Sequence, residues 1–179
     1  MGVFHVKLCR AGLAAAISFL MFVGSGFPVT AAPVHIVALG ASNTAGKGVG
    51  TQAAWPAQLE AMLKAKGYDV RVDNAGVSGD DSGRMLGRIQ QAVPEGTRIV
   101  ILDKAASNDR LRGVNTDGNI ERMQAYLRGR HIVSIVISGM HGWAQHQLQP
   151  DGIHITAAGH HAVAARLAPS VISVIQKSQ

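Results

Sequence analysis

The sequence has one cysteine, Cys9, and it lies in the N-terminal segment. The rest of the chain has no thiol. A disulfide, a cysteine nucleophile and a thiolate-ligated zinc site are therefore excluded there. Aromatic residues make up 4% of the chain, which leaves little to stack on nucleic acid bases. A dense basic run is missing too. Arg84, Arg88, Arg98, Arg110, Arg112, Arg122, Arg128 and Arg130 are scattered, although the formal net charge is +6. A solvated basic surface is expected, with no nucleic-acid partner. Internal repeats and low-complexity tracts are absent, and nothing marks a second domain.

The chain also lacks an apolar run of the roughly 20 residues that a spanning helix needs. The N-terminal run "AGLAAAISFLMFVGSGF" is broken near its end by Gly24, Gly26 and Pro28. Lys7 and Arg10 precede it, and small residues including Ala31 and Ala32 follow. This is the layout of a secretory signal peptide over residues 1–32, cleaved after Ala31 or Ala32. The expectation is a periplasmic or secreted protein with one domain over residues 33–179 and no stable membrane insertion after cleavage.

Apolar runs alternate with amphipathic patterns along the remainder. Strands are expected over 34–40, 68–76, 97–103 and 131–139. Helices are expected over 53–67, 82–93, 118–130 and 156–176, with Thr156 as an N-cap of the last. Pro169 is expected to kink or divide that helix. The alternation predicts an α/β fold, a three-layer sandwich with a mostly parallel, flavodoxin-like central sheet. Ligands of such sheets sit beyond the carboxyl ends of the strands, so the residues just after each strand matter most.

Four such loops carry candidate chemistry. After the first strand comes Gly40-Ala41-Ser42, with a hydroxyl on a sharp turn. It does not match the Gly-x-Ser-x-Gly elbow, because Thr44 stands at the last position. After the second comes "NAGVSGDDS", where Gly79 offers an unobstructed backbone N–H. After the third comes "KAASND", where Asn108 offers an amide donor. After the fourth, Asp151 and His154 are spaced so that a carboxylate can orient an imidazole. Each alone is also ordinary turn chemistry. His141 and His146 read as exposed loop residues, and no metal is expected. The glycines at 46, 48 and 50 do not complete a phosphate-loop pattern.

Taken together, Ser, Gly, Asn and Asp-x-x-His in this order resemble the SGNH hydrolases, also called the GDSL esterase/lipase family. The resemblance covers roughly residues 34–176. The stretch "AAWPAQLEAML" is similar to the periplasmic thioesterase I, lysophospholipase and arylesterase branch. It implies the SGNH hydrolase fold and a cofactor-free serine esterase. Ser42 would be the nucleophile, with Asp151 and His154 completing a triad. Ser42, Gly79 and Asn108 would form the oxyanion hole. Trp143 and Asp109 are the candidate substrate-binding residues. The substrate would be a small-molecule, lipid or carbohydrate ester, or a thioester. A carbohydrate or peptidoglycan O-deacetylase on the same site is an alternative, as is a catalytically degenerate binding module.

Two departures from the family pattern stand out. Ala41 replaces the usual acid before the serine, and Ala106 replaces a glycine before Asn108. A Cβ at 106 would crowd the Asn108 turn if that position needed a positive φ. Lys104 is an unusual cation beside the site. About ten residues separate the fourth expected strand from Asp151, which predicts an open site suited to short acyl groups.

Overall fold

The computed structural model describes residues 1–2 and 32–177. The leader expected over residues 1–32 lies outside the described residues but for its ends. Four parallel strands form one sheet: β1 (Val34–Gly40), β2 (Val70–Gly76), β3 (Thr97–Asp103) and β4 (Val133–Ile137). Their spatial order is β2-β1-β3-β4, the first four positions of the flavodoxin-type order.

Seven α-helices accompany the strands in the described residues, with a 3-10 turn over Thr51–Ala53: α1 (Ser42–Ala45), α2 (Trp55–Ala65), α3 (Ser82–Ala92), α4 (Ala106–Arg112), α5 (Thr116–Gly129), α6 (Met140–Trp143) and α7 (Ala157–Lys177). The two-residue alternation of β1 and β3 divides the core. Ile36, Ala38, Ile99 and Ile101 face Trp55, Leu59 and Leu63 of α2 and Val163, Leu167 and Val171 of α7. Val37, Leu39, Val100 and Leu102 face Met85 and Ile89 of α3 and Ile120, Met123 and Leu127 of α5. Strands covered on both faces must be apolar at successive positions, which is why β1 and β3 read as unbroken apolar runs.

One alternative falls away and one expectation needs correction. Of a kink or a division at Pro169, division does not occur, and α7 runs through it. Pro169 is exposed, so the carbonyl its ring leaves without a donor faces water, while Leu167 and Val171 stay buried on the other side. Residues 106–112, expected as loop, form α4, an exposed turn of helix with no apolar stripe to announce it. Thr156 does cap α7, its hydroxyl accepting the Gly159 N–H at 3.2 Å. Among the described residues, no helix is long and apolar enough to cross a membrane.

Candidate active site

Ser42 owes its position to two glycines. Gly40 and Gly76 are register partners at the carboxyl ends of β1 and β2. A Cβ on Gly40 would overlap the Thr44 side chain, and one on Gly76 would overlap the Ala45 backbone. Without those methyl groups, α1 lies directly on the strand ends with Ser42 as its first residue. The Arg88 guanidinium of α3 ties these ends together. It donates to the Gly40 carbonyl at 3.1 Å and the Ala75 carbonyl at 2.9 Å, and it pairs with Asp80 at 2.7 Å.

Asp103, at the end of β3, supports α1 from below. It is buried, accepts from the Thr44 hydroxyl at 3.2 Å and accepts from the Ala105 N–H at 3.3 Å. Burial pushes its carboxyl above the ordinary value, partly offset by these bonds. Ala41 offers no carboxylate to organise the turn, and Asp103 supplies one from the neighbouring strand.

The imidazole arrives on the loop before α7. Leu148 and Ile155 form an isolated antiparallel bridge, and Gly152 turns the chain at φ 68°. The Asp151 carboxylate accepts the Ile153 and His154 backbone N–H groups, each at 2.9 Å. Its other oxygen lies 2.6 Å from His154 Nδ1. His154 Nε2 lies 3.0 Å from Ser42 Oγ. The His154 side-chain bond and then the two backbone bonds hold the Asp151 carboxyl well below the usual carboxylate range. An ionised Asp151 accepts the proton on Nδ1, which leaves Nε2 with the lone pair facing the Ser42 hydroxyl. His154 is buried, while Asp151 is half-exposed.

The loops after β2 and β3 are joined to each other. Asn108 Nδ2 donates to the Asp80 carbonyl at 2.6 Å, leaving one amide hydrogen uncommitted. Asn108 and Ser42 line the same cleft of about 250 Å³. Gly79, at φ 86°, immediately precedes the Asp80 that holds Asn108, but it is not among the residues lining that cleft. Position 106 needs no positive φ; that conformation falls one residue earlier, at Ala105, φ 52°. Ala106 begins α4 with ordinary helical geometry.

Asp109 and Trp143, expected to bind substrate, are not among the residues lining the cleft. Asp109 is fully buried and accepts the Ser82 N–H at 2.6 Å, anchoring α3 to α4. Trp143 packs against the core beside α7, with Arg166 4.9 Å over its ring, and is absent from the cleft lining. Lys104 lines the cleft, but its ammonium pairs with Asp117 of α5 at 2.7 Å. His141, expected as an exposed loop residue, lies in α6 and donates to the Ile153 carbonyl at 2.7 Å. Sequence reasoning missed Asn43, Arg88 and Asp103. Asn43, beside Ser42, donates to the Ile153 carbonyl at 3.3 Å and accepts the Ile155 N–H at 3.0 Å.

The sequence profile of the GDSL-like Lipase/Acylhydrolase family matches residues 38–140, more than half of the chain. The chain belongs to this family. The matched stretch contains Ser42, Gly79 and Asn108, and Asp151 and His154 lie beyond it. Among curated relatives, Esterase TesA of Pseudomonas aeruginosa is 36% identical over 84 residues, 47% of this chain and 42% of that protein. Arylesterase of Vibrio mimicus is 36% identical over 78 residues, 44% of this chain and 39% of that protein. The match thus spans less than half the length of either relative. The crystal structure of TesA aligns with a TM-score of 0.69 at 23% identity, covering 78% of this chain and 99% of that one. The psychrotrophic esterase EstA from Pseudoalteromonas sp. also aligns with a TM-score of 0.69, at 16% identity over 79% of this chain and 98% of that one. These two likenesses establish the fold.

Proposed function

We propose that the protein is a serine esterase that hydrolyses carboxylic esters or thioesters through an acyl-enzyme on Ser42. The observation that carries this reading is the continuous hydrogen-bonded series from Asp151 through His154 to Ser42 Oγ. His154 Nε2 takes the Ser42 proton as Oγ attacks the carbonyl carbon. The oxyanion is met by the Ser42 N–H and the free amide hydrogen of Asn108, the two of the three expected donors that line the cleft. The imidazolium then protonates the leaving oxygen or sulfur, and the alcohol or thiol departs. Water, deprotonated by His154, attacks the acyl-enzyme, and the proton returns to Ser42 as the acid leaves. Asp151 keeps His154 in the required tautomer and stabilises the imidazolium. No cofactor or metal takes part.

The esterase names of the two relatives support the reaction class. The proposal extends to residues 33–179 acting as one domain in the periplasm or outside the cell, behind a cleaved leader. A cleft of about 250 Å³ is smaller than the roughly 300–1,000 Å³ of pockets for drug-sized ligands, which favours short acyl groups. Its polar lining, including Ser107, Ser138 and His141, favours a second reading on the same site, removal of acetyl groups from a carbohydrate.

Hydrolysis of p-nitrophenyl acetate, butyrate and octanoate by the protein, beside Ser42→Ala and His154→Ala, tests the reaction. The expected result is turnover that falls from acetate to octanoate and is lost in both variants. A folded wild type no faster than either variant on all three esters would contradict it.

A further inference from the structure

The cleft beside Ser42 lies between α4 and α6, over the ends of β3 and β4. Two cations line it, Lys104 and Arg110. Lys104 is committed to Asp117 at 2.7 Å. Helix α4 carries a second arginine, Arg112, committed to Asp81 at 3.3 Å. Arg110 is exposed and has no hydrogen bond or ion pair among the described residues. Among the described residues, the only carboxylate lining the cleft is Asp103. It is buried at the floor and occupied by Thr44 and Ala105, so it gives Arg110 no partner. His141, on the opposite wall, already donates to the Ile153 carbonyl.

We propose that Arg110 is a specificity-determining residue that selects esters carrying a carboxylate near the scissile bond. This rests on the esterase reading of Ser42. A guanidinium presents a planar fork that matches one carboxylate with two parallel hydrogen bonds. A doubly charged phosphate would call for a second free cation, and Lys104 is held by Asp117. The limited cleft volume also suits a short acid with a charged tip better than an enclosed alkyl chain.

The carboxylate can sit on the acyl side or on the leaving group, and two substrate pairs separate these. The first is p-nitrophenyl hemisuccinate against p-nitrophenyl pentanoate. The second is 4-acetoxybenzoate against its methyl ester. The readout is the ratio of kcat/KM, charged over neutral, in the wild type, Arg110→Ala and Arg110→Lys. Because Arg110 is exposed and unpaired, the substitutions leave the fold intact, which circular dichroism checks.

The expected result is a ratio that falls about fivefold in Arg110→Ala in at least one pair, the size of one partly exposed charge pair. The ratio is partly retained in Arg110→Lys and shrinks with added salt. The pair that responds identifies the side that carries the charge. Equal ratios in wild type and Arg110→Ala for both pairs overturn the inference, while Ser42-dependent turnover of the neutral esters leaves the esterase reading standing.

If none of the four esters is turned over, calorimetric titration of glutarate into Ser42→Ala and into the double variant Ser42→Ala/Arg110→Ala reads the site directly. Binding weakened about fivefold in the double variant, with glutaramide equal in both, supports the carboxylate site and leaves the esterase reading as the one that failed. Equal glutarate binding overturns the inference.

Discussion

Asn43 brackets His154. Its amide nitrogen donates to the carbonyl of the residue before the imidazole, Ile153, and its amide oxygen accepts the N–H of the residue after it, Ile155. The residue next to Ser42, the proposed nucleophile, therefore fixes the backbone that carries His154, the proposed base. Replacing it removes two bonds worth about 1 kcal/mol each and frees the loop to drift. Asn43→Ala is expected to lower kcat/KM for a short ester about tenfold, with a smaller effect on melting temperature. Asn43→Asp is expected to be worse, because a carboxylate would face the Ile153 carbonyl. Steady-state kinetics of both variants check this, and full activity in Asn43→Asp would contradict the bracket.

Asp151→Asn isolates the orienting carboxylate from the rest of the site. An amide cannot hold the proton on Nδ1 and stabilise the imidazolium as a carboxylate does. Turnover is expected to fall by about 10⁴, the size seen for such a change in other triads. Single-turnover kinetics measure it, and a loss below tenfold would show that Asp151 does not orient His154.

Asn108→Ala removes one proposed oxyanion donor and also the bond to the Asp80 carbonyl. A loss in kcat of about 10²–10³ is expected, with KM little changed. A rise in KM with kcat preserved would assign Asn108 to ground-state binding instead.

Gly40→Ala tests the foundation of the nucleophile turn. The added Cβ meets Thr44 and Asp103, which are rigid parts of the core. A loss of about 1–3 kcal/mol in stability is expected from such overpacking, together with most of the activity. Chemical denaturation measures the first and ester hydrolysis the second. Unchanged values in both would show that α1 is free to shift.

His160 gives the fold an acid limit away from the site. Its Nδ1 accepts the Trp55 backbone N–H at 3.1 Å, and burial pushes its pKa down to about 4. Protonation would set one N–H against another. The unfolded chain takes up this proton near pH 6.5. Between those values the unfolded state binds more protons, so stability falls as pH drops from about 6.5 to about 4 and levels off below. Melting temperature against pH should be steeper over that window in the wild type than in His160→Gln. Parallel curves would contradict the assignment.

Much of this was legible from residues alone, for a physical reason. Strands β1 and β3 are buried on both faces, so their apolar runs coincide with their limits. Ser42, Gly79, Asn108, Asp151 and His154 all follow strand ends, where a parallel sheet gathers its chemistry. Helix α4 escaped because "ASNDRLR" has no buried apolar stripe and starts from Ala105 in a left-handed conformation. Asn43 and Arg88 escaped because their partners are 110 and 48 residues away, and no local pattern encodes such a bond. Asp109 and Trp143 do not line the cleft: sequence proximity to a site does not say which way a side chain faces. Asp109 turns into the α3–α4 junction and Trp143 toward α7.

The central claim is that His154 activates Ser42. Labelling with a fluorophosphonate, read by intact mass and peptide mapping, tests it most directly. In labelling, the serine oxygen displaces fluoride from phosphorus and the proton passes to His154. One adduct is expected, located on Ser42, formed rapidly in the wild type and lost in His154→Ala. A folded wild type that stays unlabelled, or an adduct on another residue, would contradict it.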